Sequence, residues 1–126
     1  MIIGRGELAT RLILRKLIPN SNIRIQVPLV KLLSPELLKN HTERQGKETV
    51  DIVVYRNEKN PLVVRIQDKR HRSKYMSNID EQQKLSLELS GCNVADIPEG
   101  ECPQLFKEKV NDQSINEVLK YISDYV

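Results

Sequence analysis

The fold of this chain is decided by residues 49–71, which read TVDIVVYRNEKNPLVVRIQDKRH. Residues 51–55 are rich in β-branched side chains, and residues 62–66 form a second apolar run. Between them, segment 56–61 contains the Asn and Pro residues typical of turns. The pattern therefore predicts two neighbouring strands joined as a hairpin.

Polar side chains meet at one end of this hairpin. Because side chains alternate along a strand, Gln67 and Lys69 leave the second strand on one face, while Asp68 points away unless a bulge intervenes. Asp51 of the first strand then lies opposite a Gln-x-Lys pair. This arrangement resembles the PD-(D/E)XK nuclease superfamily, in which an Asp opens one strand and an (Asp/Glu)-x-Lys motif lies near the end of the next. Gln67 stands where the superfamily carries its second acid, and this is the main departure.

The resemblance implies phosphodiester hydrolysis with Mg²⁺ or Mn²⁺ as cofactor. Asp51 would be the central metal ligand, and the amide oxygen of Gln67 and the backbone carbonyl of Asp68 would offer further oxygen ligands. Lys69 would orient or deprotonate the attacking water, or stabilise the developing charge. An amide in place of the acid removes one negative charge, so we expect weaker metal binding without the loss of an oxygen ligand.

A first helix is predicted over residues 4–18. Its apolar stripe is expected to consist of Leu8, Leu12, Ile13, Leu17 and Ile18. Many members of the superfamily carry an acid on the first helix that completes the metal site, and Glu7 is the only candidate there. A first-turn acid that is favoured by the helix dipole and paired with Arg11 at i,i+4 explains Glu7 nearly as well. Both interpretations are therefore kept.

A strand, a short helix and a loop are predicted, in that order, between the first helix and the hairpin. Residues 22–33 alternate as in a strand, and Pro28 marks either an edge strand or a break. Ser34 is expected to cap a short helix through Leu38. Residues 39–48 are polar without periodicity, which predicts a loop.

After the hairpin, residues 79–90 are predicted to form a helix, although three alternating leucines in it would also suit a strand. Asp80 or Asn78 can cap this helix, its Glu, Gln, Lys and Leu content favours helix, and Gly91 is a natural stop. A short strand over residues 93–97 follows.

The order of these elements extends the resemblance to about residue 98. Restriction-endonuclease-like proteins related to very short patch repair often follow the catalytic strand with an Asp-x-x-x-Lys helix, a Gly and a further strand. Asp80, Lys84 and Gly91 match that order. A last amphipathic helix is predicted over residues 114–125, where it packs on the sheet or on a second subunit.

These elements predict a single α/β domain over residues 1–126. Its core is expected to be a restriction-endonuclease-like central mixed sheet of about four strands, with helix 4–18 on one face and helix 79–90 on the other. We expect Ser114 and Glu117 to form a capping box at the start of the last helix.

A basic run follows the second strand, although the net charge of the chain is only +3. The run comprises Arg65, Lys69, Arg70, His71, Arg72 and Lys74. Such a run is often a solvated loop, but beside a metal site Arg70, His71, Arg72 and Lys74 would hold a phosphate backbone. With four Tyr, one Phe and no Trp, base stacking is a poor binding mode. The expected partner is therefore duplex or branched DNA.

The cysteines and the hydropathy pattern indicate a cytoplasmic location. Cys92 and Cys102 have neither zinc-site spacing nor the density of a secreted disulfide scaffold, so reduced thiols are expected. The basic start lacks the features of a signal peptide, and no apolar run has membrane-spanning length.

The function predicted from the sequence is Mg²⁺-dependent hydrolysis of DNA by an endonuclease, and a domain of this size suggests a homodimer. The alternative is a nucleic-acid-binding or assembly module that has the fold without the chemistry, which Gln67 favours. A third possibility, a globular interaction domain, predicts no salt-sensitive DNA binding.

Overall fold

The computed structural model describes residues 5–67, 74–106 and 110–126. The helices and strands, in chain order, are α1 (Arg5–Leu17), β1 (Asn22–Pro28), α2 (Pro35–Lys39), α3 (Glu43–Lys47), β2 (Thr49–Tyr55), β3 (Leu62–Gln67), α4 (Lys74–Leu89), β4 (Asn93–Pro98) and α5 (Asp112–Ile122). Short 3₁₀-helices lie at Leu29–Lys31, Glu99–Glu101, Pro103–Phe106 and Ser123–Tyr125.

One four-stranded sheet, in the order β1-β2-β3-β4, forms the centre of the fold. The β1–β2 and β2–β3 pairs are antiparallel, and β3 pairs with β4 in parallel. The predicted hairpin and the mixed four-stranded sheet are thus confirmed. As Pro28 predicted, β1 is an edge strand and ends at that residue.

Helices cover both faces of the sheet. Helices α1 and α5 share one hydrophobic cluster with alternate strand residues such as Ile52 and Val54. Val53 belongs to a second cluster with Leu87 of α4 and the segment after β1. The placement of the first helix and of the post-hairpin helix on opposite faces is therefore confirmed, and α5 packs on the α1 side of the sheet.

The buried side of α1 differs from the predicted stripe. Leu8 and Leu12 are 44% and 49% exposed, whereas Ile13 and Leu14 are fully buried. Thr10 also lies on the buried side. Its hydroxyl donates to the Gly6 carbonyl at 2.6 Å, so this polar group has a hydrogen-bond partner within the helix. The helix is thus rotated relative to the prediction, and two leucines face outward.

Two helix starts also differ from prediction, and a third helix lacks its expected cap. The segment predicted as a loop contains α3, which begins with a reciprocal capping box between Thr42 and Gln45. Since α4 starts at Lys74, the two predicted caps, Asn78 and Asp80, both lie inside the helix and neither caps it. Ser34 precedes α2 as expected, but its side chain makes no capping hydrogen bond.

The capping box of α5 lies three residues earlier than predicted. Asn111 accepts the N–H of Ser114, and the Ser114 hydroxyl accepts the N–H of Asn111. Glu117 instead accepts the N–H of Leu105 at 3.0 Å, which ties α5 to the segment after β4. Gly91 follows α4 at φ +91°, the left-handed stop that the sequence predicted.

The two cysteines are free and buried. Cys102 belongs to the cluster on the α1 side and Cys92 to the cluster on the α4 side, so the sheet separates them. Among the described residues, no helix combines the length and the apolar character needed to cross a bilayer.

Candidate functional site

The site is built where β2 and β3 part. Their pairing runs from Val54–Leu62 to Ile52–Val64 and stops there. Beyond this point the Asp51 Oδ2 atom accepts the N–H of Ile66 at 2.8 Å, so a side chain occupies the place of the next ladder bond. The opening is a cleft of about 140 Å³, lined by Thr49, Val50, Asp51, Arg65, Ile66, Gln67, Asp80 and Gln83.

A second carboxylate reaches this place from α1. The Glu7 Oε2 atom accepts a hydrogen bond from Gln26 Nε2 at 2.8 Å, and Gln26 Oε1 accepts one from the Thr49 hydroxyl at 3.0 Å. Glu7 is therefore held by β1 and the start of β2. The Nε atom of Arg11, its expected i,i+4 partner, is buried and has no hydrogen-bond partner in the described part of the chain.

The electrostatics of Asp51 reflect this crowding. The pKa of Asp51 is raised from 3.8 to about 6, chiefly by burial and in smaller part by the charge of the nearby Glu7 and a hydrogen bond between the two carboxyl groups. The Ile66 N–H and the positive charge of Arg65 act in the opposite direction, but they do not outweigh burial. Two acids are thus held together in a partly dry site, which is unfavourable unless a proton or a cation joins them.

The backbone is irregular at the same level of the sheet. The flanking pairs Ile25–Ile52 and Val27–Val50 place Gln26 across from Asp51, and Gln26 has φ +50°, in the left-handed region. Ile25 packs with the α1-side cluster and Val27 with the α4-side cluster, although residues two apart normally share a face. Alternation along β1 therefore reverses at Gln26, directly beside the carboxylates.

Arg65 forms the wall of the cleft toward α4. Its guanidinium makes a bidentate pair with Asp96 at 2.7 and 2.8 Å, and it donates to the Asp80 carbonyl at 2.8 Å. The residue is only 4% exposed. Its assignment to the basic run is therefore wrong in structural terms: Arg65 joins β3, β4 and α4 internally and does not belong to a solvated charge cluster.

The structure brings together three of the residues that the sequence singled out. Glu7 and Asp51 adjoin each other, and Gln67 lines the same cleft as Asp51. The other predicted site residues, Asp68, Lys69, Arg70, His71 and Arg72, lie outside the described residues. Lys74 begins α4, but its side chain also lies outside the described part.

Several residues of the site were missed in the sequence. A signal existed for Arg65, because a charged residue inside a buried apolar strand needs a partner, and Asp96 is the one acid in the next strand. Helix residues Asp80 and Gln83 line the cleft, and only the handedness of the β3–α4–β4 connection would have placed them there. For Gln26, an ordinary polar position of an alternating strand, there was no signal.

The oxygen atoms present suit a hard divalent cation. Mg²⁺ is usually held by one or two carboxylates with several waters, and here Glu7, Asp51 and the Gln67 amide supply such a set. Within residues 5–67, 74–106 and 110–126, no cluster of three or more His, Cys, Asp or Glu side chains is arranged to hold a metal ion. The described residues of the cleft do not suit zinc, because a structural or catalytic zinc ion takes three or four His, Cys, Asp or Glu ligands.

Comparison with known proteins adds no assignment: no family model, curated protein or solved structure matches this chain.

Proposed function

We propose that this protein is a Mg²⁺-dependent DNA endonuclease. One observation carries the proposal: Glu7 and Asp51, from a helix and a strand far apart in sequence, adjoin each other beside the cleft that Gln67 also lines. The element order supports the same proposal, since the first helix, the hairpin, the next helix and the parallel last strand follow the order that the resemblance implies.

Each residue has a role in this proposal. Asp51 and Glu7 would bind the cation, and the Gln67 amide oxygen would complete the protein ligands together with the Asp68 carbonyl. When bound, Mg²⁺ would acidify the attacking water and offset the negative charge that develops on the phosphoryl oxygens. Lys69, two residues after Gln67, would orient or deprotonate that water. The Ile66 N–H holds one Asp51 oxygen, so the direction of the carboxylate is set before the cation arrives.

The second candidate is a module of the same fold that binds nucleic acid without cutting it. Gln67 favours it, since a site with two carboxylates instead of three attracts a divalent cation less strongly. The two candidates differ in chemistry only, because both predict salt-sensitive DNA binding.

The proposed partner is duplex or branched DNA, bound as a homodimer. Arg70, His71, Arg72 and Lys74 remain the candidates for contacts with the phosphate backbone. The proposed location is the cytoplasm, which the free and buried state of both cysteines supports.

The test is cleavage of supercoiled, linear and four-way-junction DNA with Mg²⁺ or Mn²⁺. The panel compares wild type with Asp51→Asn, Glu7→Gln and Lys69→Ala, and Glu88→Gln on the exposed side of α4 is the matched control. The proposal predicts metal-dependent cutting by wild type and Glu88→Gln, with loss in the site variants. If wild type binds DNA and cuts none of it with either metal, the non-catalytic candidate replaces the enzyme, and Gln67→Glu then tests whether the missing acid is the reason.

A further inference from the structure

We propose that Gln26 is a positioning residue that holds the Glu7 carboxylate in place for the divalent cation at Asp51. This inference rests on the proposed function and extends it to a residue on β1 that the resemblance does not include. It is carried by the hydrogen bonds of Gln26 and by the backbone that directs its side chain.

The chain of hydrogen bonds has only one chemically consistent direction. A carboxylate only accepts, so the Gln26 amide nitrogen must face Glu7, as it does at 2.8 Å. The amide oxygen then faces Thr49, whose hydroxyl donates to it at 3.0 Å. Glu7 thus fixes which end of the amide faces it, and the Thr49 hydroxyl holds the opposite end in place. The other oxygen of Glu7 is left for Asp51 or a cation.

The backbone of Gln26 is what makes this contact possible. Ile23 and Ile25 face the α1 side of the sheet, so regular alternation would direct the Gln26 side chain to the α4 side, away from Glu7. The left-handed conformation, φ +50°, breaks the alternation and allows the amide to reach the helix. Such a conformation is disfavoured for Gln and persists only where the surroundings hold it.

The contact contributes little to the core. Gln26 is half-buried and Thr49 is exposed, and neither belongs to a hydrophobic cluster. What the pair does determine is the position of Glu7. Partners of this kind behind a metal ligand typically change metal affinity by about 10-fold to 100-fold when they are removed.

The experiment measures Mn²⁺ and Mg²⁺ binding to the full chain by titration calorimetry, with unfolding midpoints recorded in EDTA. Gln26→Asn keeps an amide and tolerates positive φ, but its side chain is one methylene too short to reach Glu7. Gln26→Gly removes the side chain and accepts the backbone without strain. Both variants are expected to unfold at or above the wild-type midpoint and to bind Mn²⁺ about 10-fold more weakly. Thr49→Val should weaken binding in the same direction by less, and Thr49→Ser, which keeps the hydroxyl, should not.

Two results would overturn the inference, and they differ. If wild type binds Mn²⁺ and both Gln26 variants bind it equally well, the role of Gln26 is wrong while the proposed function stands. If wild type binds neither cation, and Asp51→Asn gives the same titration as wild type, the proposed function and the role of Gln26 fall together.

Discussion

Replacing Asp51 by Asn should stabilise the metal-free protein at neutral pH, although it removes the proposed central ligand. The folded state holds the Asp51 carboxyl in a site that raises its pKa from 3.8 to about 6. Above pH 6, the folded state therefore holds the charged Asp51 carboxylate in a site that favours the neutral carboxyl, which costs free energy of folding. The amide introduced by Asp51→Asn is neutral, can accept the Ile66 N–H and can donate to Glu7.

The size of the effect follows from the pKa. A tenfold change in an acid dissociation constant corresponds to about 1.4 kcal/mol, so the rise from 3.8 to about 6 amounts to at most ~3 kcal/mol. The sign follows from a carboxyl group whose pKa is raised by folding. Asp51 loses its proton near pH 4 in the unfolded chain and only near pH 6 in the folded chain. Wild-type stability therefore falls between these values as the pH rises, and the full penalty is present above pH 6. The advantage of Asp51→Asn should be near zero at pH 4 and reach a plateau of up to ~3 kcal/mol at pH 7.

The assay is urea denaturation in EDTA at pH 4, 5, 6 and 7.5, with Glu88→Gln as the control for removing one negative charge. Equal slopes against urea would show that the change lies in stability and not in the compactness of the unfolded chain. Adding Mg²⁺ should stabilise wild type more than the variant, by about 2.7 kcal/mol at a concentration 100-fold above Kd. An Asp51→Asn protein that is less stable than wild type at pH 7.5, or whose advantage does not change between pH 4 and 7.5, would refute this account of the site.

Three further predictions concern the frame of the site. Asp96→Asn should lower the free energy of unfolding by ~3 kcal/mol, because it leaves the buried Arg65 guanidinium without its charge partner. Adding Arg65→Met should restore more than half of that loss, and simple additivity in urea denaturation would contradict the pairing. Gly91→Ala should cost ~1–2 kcal/mol through backbone strain alone, since φ is +91° and an added Cβ meets nothing within 4 Å; Gly91→Asn should cost less, and an equal loss would show that strain is not the cause. Asn111→Ala should lower the thermal midpoint through loss of the α5 cap, worth ~1 kcal/mol, whereas Asn111→Asp should keep it; equal midpoints for both would argue against the capping role.

The fold was predictable where the signals are local. The β-branched runs of β2 and β3, the turn residues between them and the left-handed stop at Gly91 each specify their own structure, so the hairpin, the helix after it and the last strand were found. No local signal determines which side of α1 is buried. Leu8 and Leu12 fit a helical stripe as well as Ile13 does, and only the sheet and α5 decide which of them enters the core.

The site was predictable only in part, for a related reason. Asp51 and Glu7 could be singled out because carboxylates at such positions suit a metal, but their adjacency depends on how α1 crosses the sheet. Arg65 was misread because a run of charges in sequence need not be a cluster in space, and the register of β3 on β4 pairs it with Asp96. The left-handed backbone of Gln26 has no sequence signature, since nothing distinguishes this glutamine from one in a regular strand.

Three irregular features lie close together in the sheet, around Asp51. The β2–β3 ladder stops after Ile52, Gln26 takes a disfavoured backbone conformation, and Asp51 is held beside Glu7 with a raised pKa. The backbone of Gln26 and the buried carboxyl of Asp51 each lower the stability of the metal-free chain. A cation between the carboxylates would offset the cost of holding Asp51 and Glu7 side by side, while the strained Gln26 holds Glu7 where that cation would need it. The coincidence of costs in one cleft, in a sheet that is otherwise regularly packed, is the physical reason to look for a ligand there before anywhere else in the described chain.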